Sequence, residues 1–216
     1  IYDSNTKTYT VYNADGLMNI AELVNGGKTD INITLTADID LTGKNWTPIG
    51  TDYDNSYKGT FDGGGHTITG LTFTTNDEYV GLFGWLNRAG TVKNVVMEGI
   101  QITSNHMFGC TGGVVGYSWG TIENCSVSGS VSGTDCVGGV VGSQKAGSII
   151  GCSSSATVKG KHYVGGVAGE KWGTMTACYA TGNVTLEIAS QNNIDVGGAV
   201  GFNGGSRIPV SYTHLR

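Results

Sequence analysis

Residues 113–142 read GVVGYSWGTIENCSVSGSVSGTDCVGGVVG, and the GVVG that opens and closes this stretch sets the period of the chain. Outward from it, Gly-apolar-apolar-Gly recurs five times. Gly81 and Gly84 bound GLFG, Gly113 and Gly116 bound GVVG, Gly139 and Gly142 bound GVVG, Gly166 and Gly169 bound GVAG, and Gly198 and Gly201 bound GAVG. The first glycines are spaced 32, 26, 27 and 32 residues apart. A second element follows each motif after a short loop: Gly90-Thr-Val, Gly120-Thr-Ile, Gly147-Ser-Ile, Gly173-Thr-Met and Gly205-Ser206-Arg207. A unit of this length cannot bury its own apolar face, so neighbouring units must stack.

The stacked unit is a strand unit. Glycine costs a helix about 1 kcal/mol per position relative to alanine, and the chain holds 37 glycines in 216 residues. In ENCSVSGSV, from Glu123, Cys125 and Val127 alternate onto one face, while Ser and Gly suit a solvated face and tight corners. One further column is diagnostic. Asn94, Asn124, Gly151 and Ala177 stand at equivalent places between two strand segments, and Asn and Gly tolerate positive φ, which predicts a left-handed corner. Ala177 departs from that pattern, so its rung is expected either to turn differently or to carry strain.

The repeats resemble the GLUG-motif family of bacterial exported proteins, and GLFG at Gly81 matches the core of that motif most closely. FDGGGHTITGL from Phe61 to Leu71 and WTPIG from Trp46 to Gly50 resemble the lead-in to such repeats. Together these readings predict an all-β fold, a right-handed parallel β-helix (solenoid) with an N-terminal capping α-helix. Residues 1–30 are expected to form the cap and 31–208 the β-helix, with GLUG-type repeats from about 80. Leu17, Ile20, Ala21 and Val24 fall at helical spacing, Asn13 or Asp15 is placed to cap, and Gly26-Gly27 stop the run. Ile31, Ile33 and Leu35, followed by DIDL at 38–41, are expected to be the first strands. Val210 to Arg216 read VSYTHLR, which resembles a translated sequencing adapter. Residues 209–216 are therefore expected to be a non-native tail, and Tyr212 and His214 are assigned to no site. Any export signal is expected to lie outside the chain as given, which opens at Ile1.

Composition excludes several classes. A net charge of -5 with only 12 Lys+Arg leaves no basic stripe for nucleic acid or for an anionic membrane surface. No apolar run approaches the roughly 20 residues a membrane span needs. No cofactor is expected, because Gly-x-Ser-x-Gly, His-Glu-x-x-His and phosphate-loop motifs are all missing. No metal is expected either. The five cysteines lack ligand spacing, and DYDNSY (Asp52, Asp54, Ser56) has Tyr57 where a calcium loop needs Gly.

Cys125, Cys152 and Cys178 share one column, and Cys110 and Cys136 share another. In-register side chains on strands about 4.8 Å apart are poorly placed for bridging, so buried free thiols are expected. Asp62 and His66 are read as parts of a structural turn. Trp119 and Trp172 stand at equivalent places, separated by one rung with Lys145-Ala146 there, and are the candidate ligand-binding residues. From Gly99 to Ile208 no two carboxylates share a column, although loops are able to bring them together. The expected function is a non-catalytic extracellular surface module, a stalk or adhesin-like platform for contact with glycans or with host or surface proteins. The alternative is the N-terminal part of a β-helical polysaccharide lyase or glycoside hydrolase.

Overall fold

The structure is a computed structural model that describes residues 1–187 and 195–205. The expected tail at 209–216 lies outside the described residues, as do 206–208 and the Ser206-Arg207 of the last repeat. The chain forms a parallel β-solenoid of about seven turns. In each full turn it visits four sheets in order.

The first sheet stacks Asn32–Leu35, Thr60–Asp62, Thr91–Lys93, Thr121–Glu123, Ser148–Ile150 and Thr174–Thr176 in parallel. The second stacks Ile39–Asp40, Thr67–Thr69, Val96–Ser104, Ser126–Ser132, Ser153–Ser154 and Tyr179–Ala180. Cys110–Gly112, Cys136–Gly138 and Tyr163–Gly165 form the centre of the third, and Phe83–Leu86, Val115–Ser118, Val141–Gln144 and Ala168–Lys171 that of the fourth. Identical positions of successive repeats meet in register. Phe61, Val92, Ile122, Ile149 and Met175 pair one after another along the first sheet, all with zero exposure. Burying each such side chain contributes about 1.5–3 kcal/mol, and the column form lets one interior serve every turn.

The corner column is left-handed in all four rungs: φ is 55° at Asn94, 50° at Asn124, 63° at Gly151 and 53° at Ala177. Ala177 follows its neighbours rather than turning differently, because the strands on both sides of it are held in register with the rung below.

The motif glycines have a different cause. None of Gly84, Gly116, Gly142, Gly169 and Gly201 has positive φ. Instead the third and fourth sheets approach so closely there that a side chain has no room. A Cβ at Gly116 would lie 2.4 Å from the backbone N of Val80, and one at Gly142 would lie 2.6 Å from both Gly116 O and Thr111 N.

The helix Ala14–Asn25 is capped by Asn13, whose side chain accepts from Gly16 N at 2.8 Å. Leu17, Ile20, Ala21 and Val24 are buried in the same core as Ile33 and Ile49. Asn25 ties the helix to the second turn, donating to Pro48 O at 3.0 Å and accepting from Gly50 N at 2.8 Å. Ile31, Ile33 and Leu35 do not open the first strands. Tyr2–Asp3 and Thr8–Val11 come earlier, and Thr8–Val11 pairs in parallel with Asn32–Leu35. The helix therefore connects two neighbouring strands of the first sheet, in the place where later turns run their other strands. Strand Thr8–Val11 alternates Thr, Tyr, Thr and Val around a short segment, too weak a pattern to stand out next to a helix signal.

Candidate functional site

The residue that directly follows each motif forms one outer column of the fourth sheet: Trp85, Tyr117, Ser143, Glu170 and Phe202. Tyr79, Cys110, Cys136, Tyr163 and Asp195 form the matching column of the third sheet. Since glycines separate the two sheets, these columns meet, and together with Trp119, Lys145 and Trp172 they make a strip along the solenoid.

One end of the strip is aromatic. Trp85 and Tyr117 lie 4.3 Å apart between ring centroids, and Tyr79 is 4.7 Å from Trp85 and 5.1 Å from Tyr117. Trp119 packs 5.9 Å from Trp85, and Tyr53 lies 5.8 Å from Trp85 and 6.0 Å from Trp119. Tyr53 stands on a turn in which Asp52 accepts from Asn55 N at 3.0 Å and Ser56 donates to Tyr53 O at 2.8 Å. The DYDNSY segment thus raises a ring onto the cluster. Trp85 is 9 % exposed, and its indole N–H has no hydrogen-bond partner among the described residues.

The middle of the strip is polar. Glu170, 6 % exposed, accepts from Lys145 Nζ through both oxygens at 2.6 Å, from Ser143 Oγ at 2.6 Å and from Trp172 Nε1 at 2.6 Å. Burial alone would raise its carboxyl, but Lys145, Ser143 and Trp172 outweigh it and hold the group below the usual carboxylate range. The Cys136 thiol faces both Glu170, at 3.7 Å, and Asp135, at 3.8 Å. Asp135 in turn meets His162 Nδ1 at 2.9 Å. Two carboxylates thus converge on one thiol without sharing a column, because Asp135 reaches it from the residue beside the column.

Trp119 and Trp172 do not form one pair. Trp119 is half-buried among the five rings, while Trp172 is exposed, packs 5.8 Å from Phe202 and carries Lys145 Nζ 5.9 Å from its ring centre. The sequence reading missed Trp85, Tyr117 and Tyr79, although the position after each motif glycine was an available signal.

All five cysteines are buried and free. Cys125 N donates to Cys152 Sγ at 3.5 Å and Cys152 N to Cys178 Sγ at 3.4 Å, so the thiols form a ladder between turns. Asp62 accepts from Gly64 N, Asn94 Nδ2 and Lys93, and His66 meets Asp38, so both serve the turn at 62–66. Among the described residues no group of three or more His, Cys, Asp or Glu is placed to hold a metal ion. No helix there is long and apolar enough to cross a membrane.

These features define a glycine-rich parallel β-solenoid repeat protein with an aromatic and polar strip on its outer surface. Residues 109–132 and 133–159 match the GLUG motif, so this solenoid carries the GLUG repeat. The chain is 33 % identical over 157 residues to halomucin of Haloquadratum walsbyi, covering 68 % of the chain and 2 % of halomucin. It is 38 % identical over 97 residues to a "Putative Gly-rich membrane protein" of Evansella cellulosilytica, covering 44 % of the chain and 11 % of that protein. The chain therefore spans only a small part of these relatives. The crystal structure of a "putative immunoglobulin A1 protease" from Bacteroides ovatus superposes with a TM-score of 0.75 at 27 % identity, over 91 % of this chain and 62 % of that one.

Proposed function

We propose that the chain is part of a non-catalytic, extracellular surface protein, a stalk or adhesin-like platform whose outer strip contacts glycans or proteins. The observation that carries this reading is the strip itself. The regular scaffold presents a cluster of aromatic rings around Trp85 at one end of the strip and the Trp172–Phe202 ring pair further along, beside a carboxylate that is already neutralised. The names of the relatives, a halomucin and a membrane protein, support a surface location.

The enzyme alternative has specific support in the convergence of Asp135 and Glu170, since a glycosidase needs two carboxylates roughly 5 to 10 Å apart. A general acid among them must keep its proton near neutral pH, and Lys145 holds Glu170 ionised instead. The Bacteroides protein is named for protease activity. In the present chain His162 bonds Asp135 rather than a thiol, and the Cys136 thiol is pushed up by its hydrogen bond with Cys110 and by burial, which suits an inert sulfur.

The test is a panel of neutral and acidic polysaccharides and a protein substrate, scored for binding and for product. Weak binding that falls in Trp119→Ala and Trp172→Ala, with no product above a boiled control, is expected. Release of reducing ends, unsaturated sugars or peptides would establish the enzyme instead.

A further inference from the structure

We propose that the five-ring cluster around Trp85 is a carbohydrate site for a neutral pyranose, with Trp85 Nε1 donating to a sugar oxygen. This rests on the glycan-contact reading above and assigns it a place, a ligand class and a key hydrogen bond. Three observations carry it.

The first is the orphan donor. An indole N–H enclosed without an acceptor is destabilising, and the described residues supply none for Trp85. Trp46, also buried, donates to Gly81 O at 3.3 Å, and Trp172 donates to Glu170, so an unpaired indole is not a general property of this chain. A ligand oxygen would satisfy the donor.

The second is the shape of the cover. Of the five rings only Tyr53 is exposed, at 59 %, and it sits on the turn at 51–56 outside any strand. Its contacts with Trp85 and Trp119 are edge-on, at interplanar angles of 77° and 72°. A swing of this one side chain opens a way to Trp85 while Tyr79, Trp85 and Tyr117 stay fixed on their strands and Trp119 stays on a bend tied by its backbone N–H to Leu86 O at 2.9 Å. The opened faces offer the flat apolar surface that the C–H face of a pyranose covers.

The third is the charge of the rim. Asp52 and Asp54 flank Tyr53 and are exposed, and Tyr79 OH donates to Glu78 at 2.6 Å. Three carboxylates at the edge accept sugar hydroxyls and repel uronic or sialic acids, which selects neutral sugars.

The experiment is a titration of the 15N-labelled chain with neutral gluco-, manno- and galacto-oligosaccharides and with oligogalacturonates, following the indole N–H signals of the four tryptophans. With at least one neutral series the largest shift should fall on Trp85. Trp85→Phe, which keeps a ring and loses the donor, should bind at least tenfold more weakly, and Tyr179→Ala, which removes an exposed ring on the second sheet away from the strip, should leave this site unchanged. Oligogalacturonates should bind more weakly at low salt, with the gap narrowing at high salt. If Trp85→Phe does not fold, the wild-type indole shifts and the salt dependence still decide. Shifts confined to Trp172 and its surroundings, or wild-type affinity in folded Trp85→Phe, would overturn this site and leave the glycan-contact reading standing. No saturable shift with any sugar would overturn both.

Discussion

At the scale of the residue, Ala177 shows what the solenoid demands of its corners. It holds φ 53° where two other rungs use Asn and one uses Gly. For an L-residue with a Cβ that conformation costs about 1–2 kcal/mol, whereas glycine adopts it freely and loses about 0.5–1 kcal/mol in chain entropy. Ala177→Gly should therefore stabilise the protein by roughly 0.5–1 kcal/mol, visible as a rise of about 1–4 °C in Tm by calorimetry. A fall in Tm would mean that the alanine methyl group packs better than the backbone suffers. The same column was readable from the sequence because Asn and Gly advertise positive φ by their chemistry. The sign of φ at Ala177 was not, since nothing in alanine itself favours it.

At the scale of the element, the GLUG motif is a device for bringing two sheets together. Its last glycine answers to space and not to conformation, and a comparison of two alanine substitutions separates these causes. Gly142→Ala would place a Cβ 2.6 Å from the backbone of Gly116 and Thr111, and two sheets must move apart to admit it. A loss of about 3 kcal/mol is expected from such overpacking. Gly43→Ala meets nothing within 4 Å but sits at φ +71°, so it should cost only about 1 kcal/mol. Urea unfolding of both variants checks the order, and equal losses would show that the motif glycine is not selected for close approach. The helix is the second element of interest. Its cap, its apolar stripe and its stop were all legible at 13–27, while the strand at Thr8–Val11 was recognisable only once Asn32–Leu35 lay beside it.

At the scale of the whole molecule, columns convert a local property into an axial one, and the thiols illustrate it. The Cys125, Cys152 and Cys178 ladder runs through three turns, and Cys152 is pushed from 9.0 up to about 12, first by its hydrogen bond with Cys125 and with burial adding to the rise. The folded protein thus holds this proton more tightly than the unfolded chain. Its contribution to stability is complete below about pH 9 and is lost as pH rises from there toward 12. Denaturation midpoints should fall steadily across that window, and alkylating reagents should modify the five thiols only after unfolding. A flat midpoint from about pH 8 to 11, or rapid native-state labelling, would contradict the buried ladder.

The repeat spacing, the glycine content and the in-register apolar positions were enough by themselves to determine a stacked strand solenoid, because periodicity is a property of the chain alone. The same spacing placed the cysteines in columns and excluded a helical stack. Only the tertiary structure decided which columns face each other. Trp85, Tyr117 and Tyr53 come from two different turns and a connecting turn, and Asp135 reaches Glu170 through a thiol on a neighbouring strand. Such meetings depend on how closely two sheets approach across their glycines. That distance is set by the packing of backbone on backbone, which no single repeat contains.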